Sequence, residues 1–124
     1  MVQAGKGNTC YAELTQTKFK LLREVVMAVK ILIKRRLPLD NVQYIVEIFR
    51  QLRMLALEQE GYISSETLRS MENPQEFLVI STWRSLEDWQ KWFNSSQRKE
   101  LHSKVDKLLE GGTRYEAYQY GFMS

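Results

Sequence analysis

Between Glu76 and Leu109 the hydrophobic period of the chain changes twice, and this stretch holds all three tryptophans and the only histidine. Its opening, Phe77 to Trp83, is β-branched and aromatic, which suits a pleated strand with at least one buried face. Ser85 then stops the strand and starts a helix. Its hydroxyl can accept from the backbone N–H three residues on, where Asp88 can reach back, so that two orphaned donors are satisfied together. A second cap, at Ser95 or Ser96, precedes Leu101, Val105, Leu108 and Leu109, whose spacing predicts one stripe of another helix. Gly111 and Gly112 close it, because glycine takes the left-handed turn at little steric cost. A strand that feeds two short helices needs a sheet for those helices to lie on.

The rest of the chain supplies that sheet. Val25 to Ile33, VVMAVKILI, is apolar at both alternating sets of positions except Lys30, which predicts a strand buried on two sides. A turn follows at Lys34-Arg35-Arg36-Leu37-Pro38, and Asp40 or Asn41 caps a helix carrying Val42, Ile45, Ile48, Phe49, Leu52 and Leu55 at spacings of three and four. Gly61 ends that helix. Tyr62 to Met71 reads as a more polar strand, and Glu72-Asn73-Pro74-Gln75 has the chemistry of a tight turn, so the next strand pairs back as a hairpin. Thr113 to Tyr120 is the last strand. The order β-α-β-β-α-β defines the ferredoxin-like α+β class, with a four-stranded antiparallel sheet and both helical regions on one face. The bare face would carry the other half of two apolar strands, and an apolar patch of that size predicts a homodimer with sheet facing sheet, the second copy enclosing a hollow beside the tryptophans.

Residues 1–24 form an appended arm, disordered at Met1 to Asn8, and residues 25–124 the single domain. A 124-residue chain that is 44% hydrophobic can bury one core but not two. The lone Cys10 suits a reducing compartment. Neither a secretory leader nor an apolar run near the ~20 residues of a bilayer span is present, so a soluble cytoplasmic protein with no membrane partner is expected. The formal charge of +3 does not imply nucleic acid, since cations and acids alternate, as in Lys104, Asp106 and Lys107. Lys34-Arg35-Arg36 is the exception. It reads either as a strand end in solvent or as the anchor of an anionic ligand, Arg supplying a fork for carboxylate.

Particular phrases then narrow the class. Gly61-Tyr62-Ile63-Ser64 with Glu66-Thr67-Leu68-Arg69-Ser70, then Phe77-Leu78-Val79-Ile80-Ser81-Thr82-Trp83 with Ser85, Trp92 with Asn94-Ser95, and Arg114-Tyr115-Glu116-Ala117-Tyr118 together resemble the antibiotic biosynthesis monooxygenase domain family. The resemblance runs from about Val26 to Tyr120. It implies a dimeric α+β barrel, and it admits cofactor-independent oxygenases of aromatic polyketides and quinols as well as haem-degrading enzymes.

The ten-residue spacing of Trp92 and His102 matches the Trp and axial His of the haem-degrading branch, and the resemblance makes both candidate catalytic residues. His102 would then ligate haem iron, with Arg35 near a propionate. That branch also carries an Asn near the end of the first strand, whereas no Asn stands between Val25 and Leu37 here. Without haem, Trp83, Tyr62, Tyr118 and Arg35 are candidates to hold a substrate and His102 to act as base. A single His bordering a helix, or three tryptophans on one unit, also serves plain packing. The expectation is a monooxygenase of a flat aromatic small molecule that uses neither metal nor flavin. A haem-binding or haem-degrading enzyme and a non-catalytic dimeric ligand-binding module are the alternatives.

Overall fold

The computed structural model describes residues 28–121. The expected arm, and residues 25–27 of the expected first strand, lie outside the described residues. The elements run β1 (Val29–Arg36), α1 (Val42–Leu57), β2 (Tyr62–Arg69), β3 (Glu76–Trp83), α2 (Leu86–Phe93), α3 (Ser96–Asp106) and β4 (Thr113–Gln119). The four strands form one antiparallel sheet in the order β2-β3-β1-β4. This is the expected ferredoxin-like α+β architecture, with the second helical region split in two.

Strand pairing fixes which side chains meet the helices. Across the sheet, Thr67, Val79, Ile33 and Tyr115 form one row, and Phe77, Arg35 and Thr113 form part of the next. Successive residues of a strand point to opposite faces. Lys30, Leu32 and Lys34 therefore share the outer face with Leu78, Ile80, Glu116 and Tyr118. The register shift between Tyr62 and Ser64 reverses that alternation in β2. As a result Tyr62 and Ser65 lie on one face, and the Tyr62 hydroxyl donates to Ser65 Oγ at 2.7 Å.

The core lies between the inner sheet face and the helices. Ile31, Ile45, Trp83 and Val105 are its fully buried side chains. Of the stripe expected in the first helix, Ile45, Ile48 and Leu52 are buried, joined by Ala56. Ser85 caps α2 by accepting from Asp88 N at 3.1 Å, and Ser95 caps α3 by accepting from Arg98 N at 3.3 Å.

Four details differ from the sequence reading. The first strand reaches Arg36, so Lys34-Arg35-Arg36 is its end rather than part of the turn that follows. Lys34 pairs with Glu116 at 2.7 Å and Arg36 with Glu110 at 2.8 Å, while Arg35 between them points inward. Long aliphatic stems with charged tips suit a strand whose outer face is half wet. Asn41 takes the first helix's cap position with a φ of 61° and no side-chain capping bond, a conformation asparagine tolerates better than most residues. Asp88 does not close a reciprocal cap with Ser85, because its carboxylate turns to Arg84 at 3.3 Å. Finally, α3 ends at Asp106, and its buried line is Arg98, His102 and Val105. Leu109 is buried beyond the helix end, while Leu101 and Leu108 are only half-buried.

Candidate active site

A cavity of about 430 Å³ lies between the inner sheet face and the three helices, within a single chain. The sequence reading placed the hollow under the cover of a second sheet. Here the helices enclose it instead, because α1, α2 and α3 meet the sheet at different places and leave a gap. The exposed lining residues Val46, Arg50, Arg53 and Thr67 mark its mouth between α1 and β2.

Aromatic rings dominate the walls. All three tryptophans line the cavity, together with Tyr62, Phe49 and Phe77. Trp83 and Tyr62, paired on neighbouring strands, meet edge to face at 5.4 Å, and Trp83 Nε1 donates to Ser81 Oγ at 3.2 Å. That bond satisfies the indole N–H, so the buried ring is held as an apolar wall. Trp92 is buried on α2, while Trp89 belongs to a cluster with Phe93 and Tyr115, each 5.0 Å from Phe93 between ring centroids.

A cationic group sits against this cluster. Arg98 stacks on Phe93 with its guanidinium carbon 4.1 Å from the ring centroid, and donates to the Phe93 carbonyl at 3.0 Å and to the Tyr115 hydroxyl. Arg35 stacks on Phe49 at 4.3 Å. Burial lowers the Arg35 pKa, the neighbouring Tyr115 hydroxyl opposes that shift, and the positive charge of Arg98 adds to it. Arg35 Nε is the one buried side-chain nitrogen or oxygen among the described residues that lacks a hydrogen-bond partner. No Asp or Glu is among the lining residues.

His102 lines the same cavity, and both its nitrogens face protein groups. Nε2 lies 3.3 Å from Thr113 Oγ1, and Nδ1 lies 3.9 Å from the exposed Asp106 carboxylate. Burial, then the charges of Arg35 and Arg98, push its pKa down to about 4 against the weaker pull of Asp106. The imidazole is therefore neutral at pH 7, with Nε2 against Thr113 and Nδ1 beyond hydrogen-bond range of Asp106. A haem ligand needs one ring nitrogen on the iron, and Nε2 would have to leave Thr113 to supply it. A group with a pKa of about 4 is also a weak proton acceptor at neutral pH.

Of the residues singled out from sequence, Trp83, Trp92, Tyr62, Arg35 and His102 come together around one cavity. Tyr118 does not. It lies on the outer sheet face, about half exposed, with its hydroxyl donating to Glu116 at 2.9 Å. Tyr115 takes the inward place instead. The alternation of β4 carries this signal, because Tyr118 falls in step with the charged Arg114 and Glu116 and Tyr115 out of step with them. Trp89, Arg98 and Phe49 were the other residues missed. A helical spacing of four places Arg98 above His102, so the buried line of α3 was readable once its phase was known.

A four-stranded antiparallel sheet with all its helices on one face, enclosing an aromatic-walled cavity, defines a ferredoxin-like α+β domain. Residues 28–104 match the model of the antibiotic biosynthesis monooxygenase family, and the chain belongs to that family. It is 31% identical over 51 residues to the protein SchA of Streptomyces halstedii, a match that covers 41% of this chain and only 13% of SchA. A conserved protein from Methanosarcina mazei Go1 superposes with a TM-score of 0.75 at 19% identity, covering 81% of this chain and 99% of that one. SnoaB of Streptomyces nogalater, a cofactor-independent oxygenase, superposes with a TM-score of 0.68 at 9% identity, over 78% of this chain and 96% of SnoaB. Similarity at these identities establishes the fold. None of the helices among the described residues is long and apolar enough to cross a membrane.

Proposed function

We propose that the chain is a monooxygenase that oxygenates a flat aromatic small molecule without metal or flavin. The observation that carries this reading is the cavity itself, whose volume of about 430 Å³ falls in the range of small-molecule sites and whose walls are indole and phenyl rings. The likeness of the fold to SnoaB supports the same reading. In such a reaction the substrate supplies the electrons. Loss of a proton from an anthrone leaves its electron pair in an enolate, whose carbon reduces O2 and bonds to it; the hydroperoxide then loses water, the O–O bond breaking as the ring carbonyl forms. The protein's part is to hold the ring, keep water out and stabilise the enolate oxygen. Trp83 and Trp92 are the walls in this reading, Tyr115 and the guanidiniums are the donors, and His102 orients the start of β4 through Thr113.

Oxygen uptake with a panel of anthrones and quinols tests it. Uptake above the buffer rate is expected for at least one of them, falling at least tenfold in kcat/KM for Trp92→Ala as the ring loses its wall. Silence across the panel would transfer the reading to a non-catalytic ligand-binding module. A hemin titration is expected to give no Soret band that depends on His102. A shifted band in the wild type that disappears in His102→Ala would restore the haem reading.

The outer sheet face contributes to the same proposal. Leu32, Leu78 and Ile80 form a half-buried apolar strip there, and Leu68 is 45% exposed. A second copy would cover them as a homodimer. Sedimentation at micromolar concentration is expected to show twice the chain mass, and a stable monomer would remove the dimer from the proposal.

A further inference from the structure

The cavity contains a charge that the described protein groups leave unanswered. Arg35 opens onto it, has its Nε enclosed without a partner, and makes no ion pair among the described residues. Its neighbours on β1, Lys34 and Arg36, both have carboxylate partners on the outer side of the strand. Taking a guanidinium out of water without a counter-charge is expensive, so such a residue is usually answered by an acid or replaced by an apolar one. Neither has happened at Arg35. Arg98, whose charge acts on the same place, donates from Nη1 to the Phe93 carbonyl and from Nη2 to the Tyr115 hydroxyl.

Tyr115 completes the arrangement. The strand register puts Arg35 opposite Thr113, which makes Tyr115 its diagonal neighbour on β4. A phenol has one proton to give and two lone pairs to receive. Because Arg98 donates to the phenol oxygen, the O–H proton of Tyr115 remains available to a third group. The same phenol oxygen is within reach of the Arg35 guanidinium, so the guanidinium and the O–H proton stand together as donors, and no Asp or Glu lines the cavity to receive them. An anion with two oxygens is the matching occupant.

From these contacts we propose that the ligand of the cavity is an aromatic carboxylate, its carboxylate held by Arg35 and the Tyr115 hydroxyl and its rings lying between the tryptophans. Arg98 is a positioning residue that fixes the Tyr115 hydroxyl and adds positive potential. Arg53, exposed at the mouth, makes the approach favourable to an anion, while Arg50 beside it is paired with Glu47 at 2.7 Å. The inference rests on the reading that the cavity takes an aromatic small molecule, and it names the class of that molecule.

Two probes of equal shape separate the claims. Titrating the protein with 2-naphthoate and with 2-naphthamide, by calorimetry and by quenching of tryptophan emission, reads affinity and location together, since every tryptophan lines the cavity. The wild type is expected to bind the carboxylate at least tenfold more tightly than the amide. Arg35→Gln is expected to reduce that ratio below threefold while keeping the amide's affinity, and Arg35→Lys to retain most of it. Equal binding of both probes would overturn the anion site and leave the aromatic cavity standing. No heat and no quenching with either would overturn both. A preference that survives Arg35→Gln but vanishes in Arg53→Gln would put the anion at the mouth and sink the assignment to Arg35. The wild-type ratio needs no variant, so a misfolded substitution does not shelter the proposal.

Discussion

Gly61→Ala is expected to destabilise the domain by about 3 kcal/mol or more, the sum of backbone strain and overpacking. Gly61 has a φ of +85°, which costs an alanine energy even in open space. The space is not open. A Cβ at Gly61 would stand 2.2 Å from Asp88 Oδ2 and 2.5 Å from Asp88 Cβ. The carboxylate tip could swing aside, but the Asp88 Cβ is tied to the α2 backbone and cannot. Three links pass through this point. Arg84 N donates to the Gly61 carbonyl at 2.7 Å, Arg84 Nη2 meets Asp88 at 3.3 Å, and Asp88 N is the donor that Ser85 caps. Pushing Asp88 away therefore loosens the start of α2, which carries Trp89 and Trp92 into the cavity. Urea denaturation checks the prediction. Gly111→Ala is the control, since its φ of +75° carries the same backbone penalty and nothing lies within 4 Å of the added methyl. A loss of about 1 kcal/mol is expected there. Equal losses at the two positions would show that the Asp88 contact contributes nothing.

Much of this architecture was legible in residue order because the deciding signals are local. The cap at Ser85, the glycine at position 61 and the turn at Asn73-Pro74 act within four residues of themselves, and each occurs where expected. Asn73 Oδ1 accepts from Gln75 N at 3.4 Å, the side-chain turn that its place before proline suggests. Trp83 and Tyr62 fall in the strands expected for them because they sit at strand ends beside these markers.

What was misread depends on phase, which no local signal sets. The first strand runs three residues further than its apolar run, because Lys34 and Arg36 find acids on β4, β3 and the preceding loop that are distant in sequence. With the strand ended at Ile33, Arg35 could not be assigned a face. The β4 phase likewise decides between Tyr115 and Tyr118, and it follows from pairing with β1 rather than from either tyrosine. The cavity was expected under a second sheet because the sequence shows how much apolar surface needs cover and not where three helices leave a gap. His102 shows the same limit at the scale of one side chain. Its spacing from Trp92 made it a candidate for the site, but only the position of Thr113, eleven residues on, shows where Nε2 goes.

That placement of His102 has a consequence for stability against pH. The folded chain holds its pKa down at about 4, while an unfolded histidine titrates near its ordinary 6.5. The unfolded state therefore takes up a proton first as the pH falls. The stabilisation linked to His102 is complete above about pH 6.5, declines from there to about pH 4, and is absent below. At about 1.36 kcal/mol per pH unit the full difference is about 3 kcal/mol, and solvent reaching the ring through the cavity reduces the expected loss to about 2 kcal/mol. The groups that face the ring are Arg35 from β1, Arg98 and Asp106 from α3, and Thr113 from β4. Of these only Asp106 favours the protonated form, and it is exposed at the longer distance of 3.9 Å. Carboxylates elsewhere, such as Glu116 beside Lys34, also lose stabilisation at low pH, so the wild-type curve by itself does not isolate the histidine. His102→Gln does, since an amide can keep the contact with Thr113 and does not titrate. Urea midpoints taken at half-unit steps from pH 7.5 to 4 are expected to fall more steeply for the wild type than for the variant, with the two curves converging or crossing between pH 6.5 and 4. Parallel curves over that interval would mean that His102 titrates alike in both states and that burial beside two guanidiniums does not govern its proton.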